Sequence, residues 1–370
     1  MLFSPSSYLQ KLGGYPFAEV AKIVADLKAK GIKTIDFGVG DPTSPTPKFI
    51  REATKNALDK YATAGYPSYI GQAEYRFAVT EWMHRRFNIA LNQETEICST
   101  LGSKEAIFNF PKAIIGSGDI VIIPTPGYPP MKTGTLFSGA IPYFAPLLEK
   151  NNFLLDYNSI PKNIVCKAKI IWINYPNSPT GSCANRDYYN GLIKWVEKNN
   201  IIIAADEGCY IDIYFNKKPI SILEIKKEGI ISFYSLSKRS NMTGYRVGWV
   251  AGDERIISLF KKIKTNIDSG TPNFIQAAAI AALNDETHAD RMREEYRKKR
   301  KLIVAALENI GLPRSKSEAT FYLWQKTPKN LNSVEFAKLL LKSKTAIVVT
   351  PGQWITENCA DGENPGNNYV

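Results

Sequence analysis

The sequence predicts an α/β protein: a largely parallel sheet, with a second, smaller α+β unit toward the C-terminus. Three observations carry this. Short apolar runs alternate with amphipathic stretches along most of the chain, the pattern of strand–helix–strand units. The last third departs from that rhythm, with a long helical stretch ahead of short strands. Distinctive polar clusters follow the apolar runs, where open α/β sheets bind their ligands.

The runs EICST (96–100), IVIIP (120–124), KIIWIN (169–174), IIIAAD (201–206), IISFYS (230–235) and VGWVAG (247–252) are short and apolar and read as strands. Helical spacing of apolar positions predicts helices over 49–60, 72–87, 103–115, 187–199, 254–267 and 273–284, and a long one near 287–310. Then come strand FYLWQ (321–325), a helix over 333–343 and strand AIVVT (346–350), a smaller unit that shares the N-terminal segment. No internal repeat or low-complexity linker interrupts the chain.

Composition narrows the function. A chain of 370 residues, 44% hydrophobic and 22% charged, is an ordinary globular protein with material for a sizeable core. The net charge of +12 raises the question of nucleic acid. The densest basic run, RMREEYRKKRK (291–301), interleaves acids at helical spacing and reads as a solvated helix face. No zinc-finger spacing, RNA-binding aromatic signature or helix-turn-helix is evident, so no nucleic-acid partner is expected. Five cysteines (Cys98, Cys166, Cys183, Cys209, Cys359) form no Cys-x-x-Cys pair, which fits a reduced compartment without a disulfide framework. The two histidines, His84 and His288, sit in charged, helix-like stretches, and no metal site is expected. The N-terminus lacks a secretory pattern, and no apolar run approaches the ~20 residues of a membrane span. A cytoplasmic protein is the expectation.

Five loops carry chemistry: GSKEA, PTPGYPP, NYPNSPTG, DEGCY and SLSK, each just after a predicted strand. In SLSKRSNMTGYRVGW (235–249), Lys238 ends an apolar run among small residues. A neutral lysine forms a Schiff base with a carbonyl when burial or a nearby cation lowers its pKa, and Arg246 is such a cation. A solvated turn lysine is the blander account. Gly102 and Ser103 open a helix, where free N–H groups and the helix dipole favour a phosphate, though Gly-Ser also serves as a plain cap. Ser235 and Arg246 add a hydroxyl and a charged fork. Asp206 ends a strongly apolar strand, a costly place for a carboxylate without a partner. The protonated pyridine of pyridoxal phosphate is such a partner. Tyr128 either stacks on a ring or braces a rigid turn, and Asn177 either bonds a ring hydroxyl or shapes a turn.

With LGSKEA, NYPNSPTG, DEGCY, SLSKRSNMTGYRVGW and YPSYIGQAEYR (66–76) in this order, the whole chain resembles the fold-type I, class I/II pyridoxal-phosphate aminotransferases. The resemblance implies a three-layer α/β/α large domain with a mostly parallel seven-stranded sheet, over residues 36–285. It implies a smaller α+β domain built from 1–35 and 286–370. Lys238 is then the Schiff-base lysine and the proton shuttle between the substrate Cα and the cofactor C4′. Asp206 pairs with the pyridine nitrogen, Asn177 and Tyr210 contact the ring hydroxyl, and Tyr128 stacks on the ring. Gly102, Ser103, Lys104, Ser235 and Arg246 lie around the phosphate. Tyr66 reaches the phosphate of a neighbouring subunit, so a homodimer is implied. Gly40, in FGVGDP, lines the substrate pocket together with Asn177.

The sequence departs from that family in two places. Tyr210 follows Asp206 by four positions where the family has three, as though one residue were inserted at Gly208. Glu207 is therefore a second candidate for the pyridine, with Asp206 preferred as the first acid off the apolar strand. The family also clamps the substrate α-carboxylate with an arginine near the C-terminus, and no arginine follows Arg314 here. The abrupt end at ENPGNNYV leads to the expectation of a truncated chain.

The stretches 9–23 and 349–370 resemble bacterial N-succinyldiaminopimelate aminotransferases, which implies amino-group exchange between glutamate or 2-oxoglutarate and an N-succinylated substrate of lysine biosynthesis. Lys132 and Lys11 are candidates for its extra carboxylates. The same scaffold also serves LL-diaminopimelate, aspartate and aromatic aminotransferases and C–S lyases, and more remotely a non-catalytic regulator that would need a DNA-binding module.

Overall fold

The structure is a computed structural model, and it describes residues 3–10, 12, 17–38, 40–342 and 345–370. Nine strands are present among these: β1 (Thr34–Asp36), β2 (Ile97–Thr100), β3 (Ile120–Thr125), β4 (Ile141–Pro146), β5 (Ala168–Ile173), β6 (Ile202–Gly208), β7 (Ile230–Ser235), β8 (Gly248–Gly252) and β9 (Ala346–Val348). Seven of them form one sheet in the order β2-β8-β7-β6-β5-β3-β4. Only β8 runs against its neighbours. β1 and β9 pair in parallel as a separate two-stranded sheet, with Ile35 opposite Ile347.

The strands are apolar on both faces because helices cover both, as a parallel sheet requires. Alternation assigns Ile122, Ile203 and Ala205 to one layer, where they pack on Val79 and Trp82 of helix Ala73–Phe87, Leu192 of helix Arg186–Asn199 and Ala278 of helix Asn273–Leu283. Val121, Ile123 and Ala204 face the other layer, with Ile107 of helix Ser103–Asn109, Met131 of helix Pro129–Phe137 and Phe260 of helix Glu254–Lys264. Aromatic contacts lock the first layer: Trp82 meets Trp249 edge-on at 5.4 Å, and Trp249 stacks on Tyr234 at 5.1 Å. Such pairs add about 0.5–1.5 kcal/mol each beyond their buried area.

Several elements differ from the sequence expectation. The helix predicted over 103–115 breaks into Ser103–Asn109 and Pro111–Ile114, since Pro111 has no N–H to continue the ladder. FYLWQ is not a strand: Gln325 exchanges backbone hydrogen bonds with Val370, both at 2.9 Å, and that pairing reaches no further into 321–324. β4 was hidden by Pro142 and Pro146, which an edge strand tolerates because one side of its backbone needs no donors. Helix Pro129–Phe137 was hidden by Pro129 and Pro130, which are suited to a first turn whose N–H groups have no helical partner. Helix Phe17–Ala29 and strand β1 also went unpredicted. Among the described residues no helix is long and apolar enough to cross a membrane.

Candidate active site

β2, β3, β5, β6 and β7 all run in one direction, so their C-termini and the five polar loops meet at one edge of the sheet. The antiparallel β8 starts at that edge and delivers Arg246 just before it. The topology thus gathers the motifs that the sequence scatters over some 150 positions, from Gly102 to Arg246.

Lys238 lies in the helical turn Leu236–Arg239, which Ser235 caps by accepting from the Ser237 N–H at 3.2 Å. Its Nζ donates to the Gly40 carbonyl at 2.7 Å, stands 3.9 Å from Asp41 Oδ1 and lies 5.6 Å from the centre of the Phe321 ring. Burial lowers its pKa and Arg246 adds to that, against the opposing pull of Cys209 and Asp41. Gly40 has no room for a side chain, because a Cβ there would stand 1.7 Å from the Tyr322 hydroxyl.

Gly102 has a φ of +79°, and a Cβ on it would lie 2.5 Å from Arg246 Nη2. Arg246 itself has a φ of +54° and donates to the carbonyls of Thr243 at 2.8 Å and Leu101 at 3.3 Å, which lays its guanidinium beside Gly102. Ser235 Oγ donates to Ser237 Oγ at 2.8 Å, and Arg246 Nη1 reaches the same Ser237 hydroxyl at 3.4 Å. Gly102, Ser103, Ser235 and Arg246 therefore form one cradle. Lys104 and Tyr66 are not drawn into it: both side chains are exposed, Tyr66 at 88%.

A bulge in β6 sets Asp206 and Glu207 in different surroundings. β6 pairs with β7 as Asp206↔Phe233 and then Gly208↔Tyr234, so Glu207 is the extra residue. It points away from the cradle and is saturated with donors, among them Ser221 Oγ and the Ile222 N–H, both at 2.7 Å. Asp206 is buried on the cradle side. Among the described residues its Oδ2 accepts only from Asn174 Nδ2 at 3.4 Å, and its Oδ1 has no partner. Burial first, then the Glu207 charge, pushes its pKa up to about 7.

Tyr128 caps helix Pro129–Phe137, and burial followed by the charges of Cys209 and Asp206 raises its phenol pKa. Tyr210 donates to the Tyr322 hydroxyl at 3.3 Å and meets Phe321 edge-on at 5.4 Å. Asn177 is fully buried and shapes its turn, accepting from Thr180 Oγ1 at 2.7 Å and donating to Asn174 Oδ1 at 3.3 Å. Asn174, Cys209, Phe321 and Tyr322 belong to the site but were missed. Asn174 opens the quoted NYPNSPTG, while Phe321 and Tyr322 were concealed by a strand reading. Lys132 is engaged by Glu357 at 2.6 Å and so is not a free carboxylate receptor, and Lys11 lies outside the described residues. A cavity of about 220 Å³ is lined by Gly40, Asp41 and Phe321, which also stand near Lys238, and by Asp36, Lys299 and Arg300.

The residues fit pyridoxal phosphate: a lysine with a lowered pKa, a glycine–arginine cradle for a phosphate, and a buried carboxylate oxygen that lacks a donor. No cluster of metal-ligating side chains occurs among the described residues.

Residues 32–362 match the family described as aminotransferase class I and II. An LL-diaminopimelate aminotransferase of Aquifex aeolicus is 44% identical over 96% of this chain and 92% of its own length. The apo-BacF structure from Bacillus subtilis superposes with a TM-score of 0.92 at 30% identity, covering 100% of this chain and 93% of that one. A probable N-succinyldiaminopimelate aminotransferase of Thermus thermophilus shares the fold, with a TM-score of 0.87 over 96% of this chain and 94% of that one, at 24% identity. The N-succinyl expectation is thereby revised, since relatives at 42–44% identity bear the LL-diaminopimelate name.

Proposed function

This chain belongs to the class I and II aminotransferases, and from that premise we propose that it moves an amino group between LL-2,6-diaminopimelate and 2-oxoglutarate. Its cofactor is pyridoxal 5′-phosphate, which when bound supplies an electron sink for the electrons left at the substrate Cα. Lys238, whose pKa burial lowers, would take the Cα proton on Nζ and carry it to the C4′ position. Asp206 accepts at Oδ1 from a protonated ring nitrogen. Arg246, Ser235, Ser103 and the Gly102 backbone hold the phosphate, with Lys104 at the rim of that loop. Tyr128 covers one ring face and excludes water, while Tyr210 and Asn177 orient the ring hydroxyl. Gly40 leaves backbone room for the substrate. Tyr66, exposed on this chain, completes the site of a second copy in a homodimer.

The unpartnered Asp206 Oδ1, 32 positions before Lys238 yet on the same edge, is the observation that carries the cofactor chemistry. The substrate reading draws support from the Aquifex relative, 44% identical over 96% of this chain. The test loads the purified protein with cofactor and follows its visible band on adding LL-diaminopimelate, with glutamate formation from 2-oxoglutarate measured in parallel. Exchange with N-succinyldiaminopimelate but not with LL-diaminopimelate would overturn the substrate. Release of ammonia and pyruvate from a β-thiol amino acid, without exchange, would overturn the transferase.

A further inference from the structure

β6 contains two consecutive buried acids on opposite faces of one sheet. Asp206 faces the layer that holds helix Ser103–Asn109, and Glu207 faces the layer that holds helix Arg186–Asn199. Glu207 is fully buried and, among the described residues, makes no ion pair. Its carboxylate accepts from the Ile222 N–H and Ser221 Oγ at 2.7 Å, from the Tyr234 hydroxyl at 3.1 Å, and from the Tyr189 and Ser232 hydroxyls at 3.5 Å. These donors come from the capped turn Ile222–Glu224, from β7 and from helix Arg186–Asn199, so the extra residue of the bulge is tied to three elements. Gly208 cannot take over that anchoring, because a Cβ there would stand 2.4 Å from the Tyr234 Cα.

We infer that Glu207 is the positioning residue of Asp206: clamped behind the sheet, it fixes the bulge that presents Asp206 Oδ1, and it places a second negative charge behind that contact. The inference rests on Asp206 being the partner of the ring nitrogen. Charged and titratable neighbours fall into two sets. Asp206 faces Cys209, Tyr128 and Tyr210, with Lys238 and Arg246 beyond Cys209. Glu207 faces Tyr189, Tyr234 and Glu224, none of them cationic. Among the described residues no cation pairs with Glu207, so the Glu207 carboxylate, when ionised, acts on Asp206 through the strand and favours a cation at the Asp206 contact.

Glu207→Gln keeps an acceptor for the Ile222 N–H and removes the charge. In cofactor-free protein labelled with ¹³C-aspartate, the Asp206 carboxyl midpoint is expected to fall by about one unit in Glu207→Gln, the size of an ion–ion term across a buried strand. Cofactor Kd from equilibrium dialysis is expected to rise about tenfold, the equivalent of one unit, and to stay unchanged when Glu207→Gln is made on an Asp206→Asn background. Equal losses on both backgrounds, or an unmoved Asp206 midpoint, would overturn the inference and leave Glu207 a packing residue. If Asp206→Asn alone leaves cofactor binding intact, the underlying reading of Asp206 fails instead. Should Glu207→Gln not fold, Tyr234→Phe removes one donor, makes Glu207 easier to protonate and must also lower the Asp206 midpoint.

Discussion

The Lys238 ammonium nitrogen and the Gly40 carbonyl oxygen lie 2.7 Å apart, although 198 positions separate the residues. The contact brings Gly40 and Asp41 over the catalytic edge and parks the amine on a backbone acceptor. Among the described residues that acceptor and Asp41 Oδ1, 3.9 Å from Nζ, do not compensate the burial, and the lysine pKa falls. Lys238→Ala is expected to bind cofactor and to lose amino-group exchange by about 10²–10⁴-fold or more, the range of a positioned acid–base group. Single-turnover absorbance with LL-diaminopimelate measures it, and undiminished exchange would remove Lys238 from the chemistry.

Much of this site was legible because its chemistry needs unusual residues in unusual places. An acid at the end of IIIAAD and a lysine at the end of IISFYSLSK stand out against apolar strands, and parallel topology does the gathering. The elements that escaped were those in which proline imitates a breaker: β4 with Pro142 and Pro146, and helix Pro129–Phe137. Periodicity registers a proline but not the edge position or first turn that excuses it. The preference for Asp206 over Glu207 rested on strand position alone, and the environment that separates the two acids was not legible. It depends on which donors lie behind the sheet, and Ser221, Tyr234 and Tyr189 come from three distant segments. Asn174 shows the same limit, since its role is set by the Asp206 backbone carbonyl 2.7 Å away.

Asp206 and Glu207 make stability depend on pH in a specific direction. Burial pushes both up to about 7 in the folded chain, against roughly 4 when unfolded. Between about pH 4 and 7 the folded state therefore holds more protons, and cofactor-free stability falls as pH rises through that window. Cofactor binding gives Asp206 a cationic partner and relieves the penalty. Its stabilising increment in Tm is expected to be larger at pH 8 than at pH 6. Measuring it in Lys238→Ala removes the contribution of the amine's own titration. An increment independent of pH in that variant would contradict the assignment of Asp206.

Gly208 is the residue on which the bulge closes. A Cβ there would lie 2.2 Å from Tyr234 Cδ1 and 2.4 Å from its Cα, and the backbone atom cannot move aside. Gly208→Ala is expected to cost about 1–3 kcal/mol, the usual range for overpacking, with cofactor affinity falling because Asp206 moves. Urea unfolding and cofactor dialysis check the two parts. Unchanged values for both would mean that β6 has slack that the Tyr234 contact denies.

The loop that carries Lys238 is fixed from below by Asp212. Its Oδ2 accepts from Arg239 Nε at 2.7 Å and its Oδ1 from Arg86 Nε at 2.8 Å, with the side chains of all three residues 3–6% exposed. Burial alone would raise the Asp212 pKa, but the two guanidinium groups outweigh it and the net shift is downward. Asp212→Asn leaves Arg86 and Arg239 sharing a neutral amide in the interior. Breaking a buried pair in this way typically costs about 3–5 kcal/mol, and Glu286, 2.6 Å from Arg239, offsets part of it, so the lower end is expected. Arg239 is the residue after Lys238, so the loss should also appear as a slower exchange step at saturating substrate, with KM less affected. Denaturant unfolding together with the split between kcat and KM decides whether the buried pair only stabilises the fold or also holds the lysine in place. A stability loss with kcat intact would confine it to the fold.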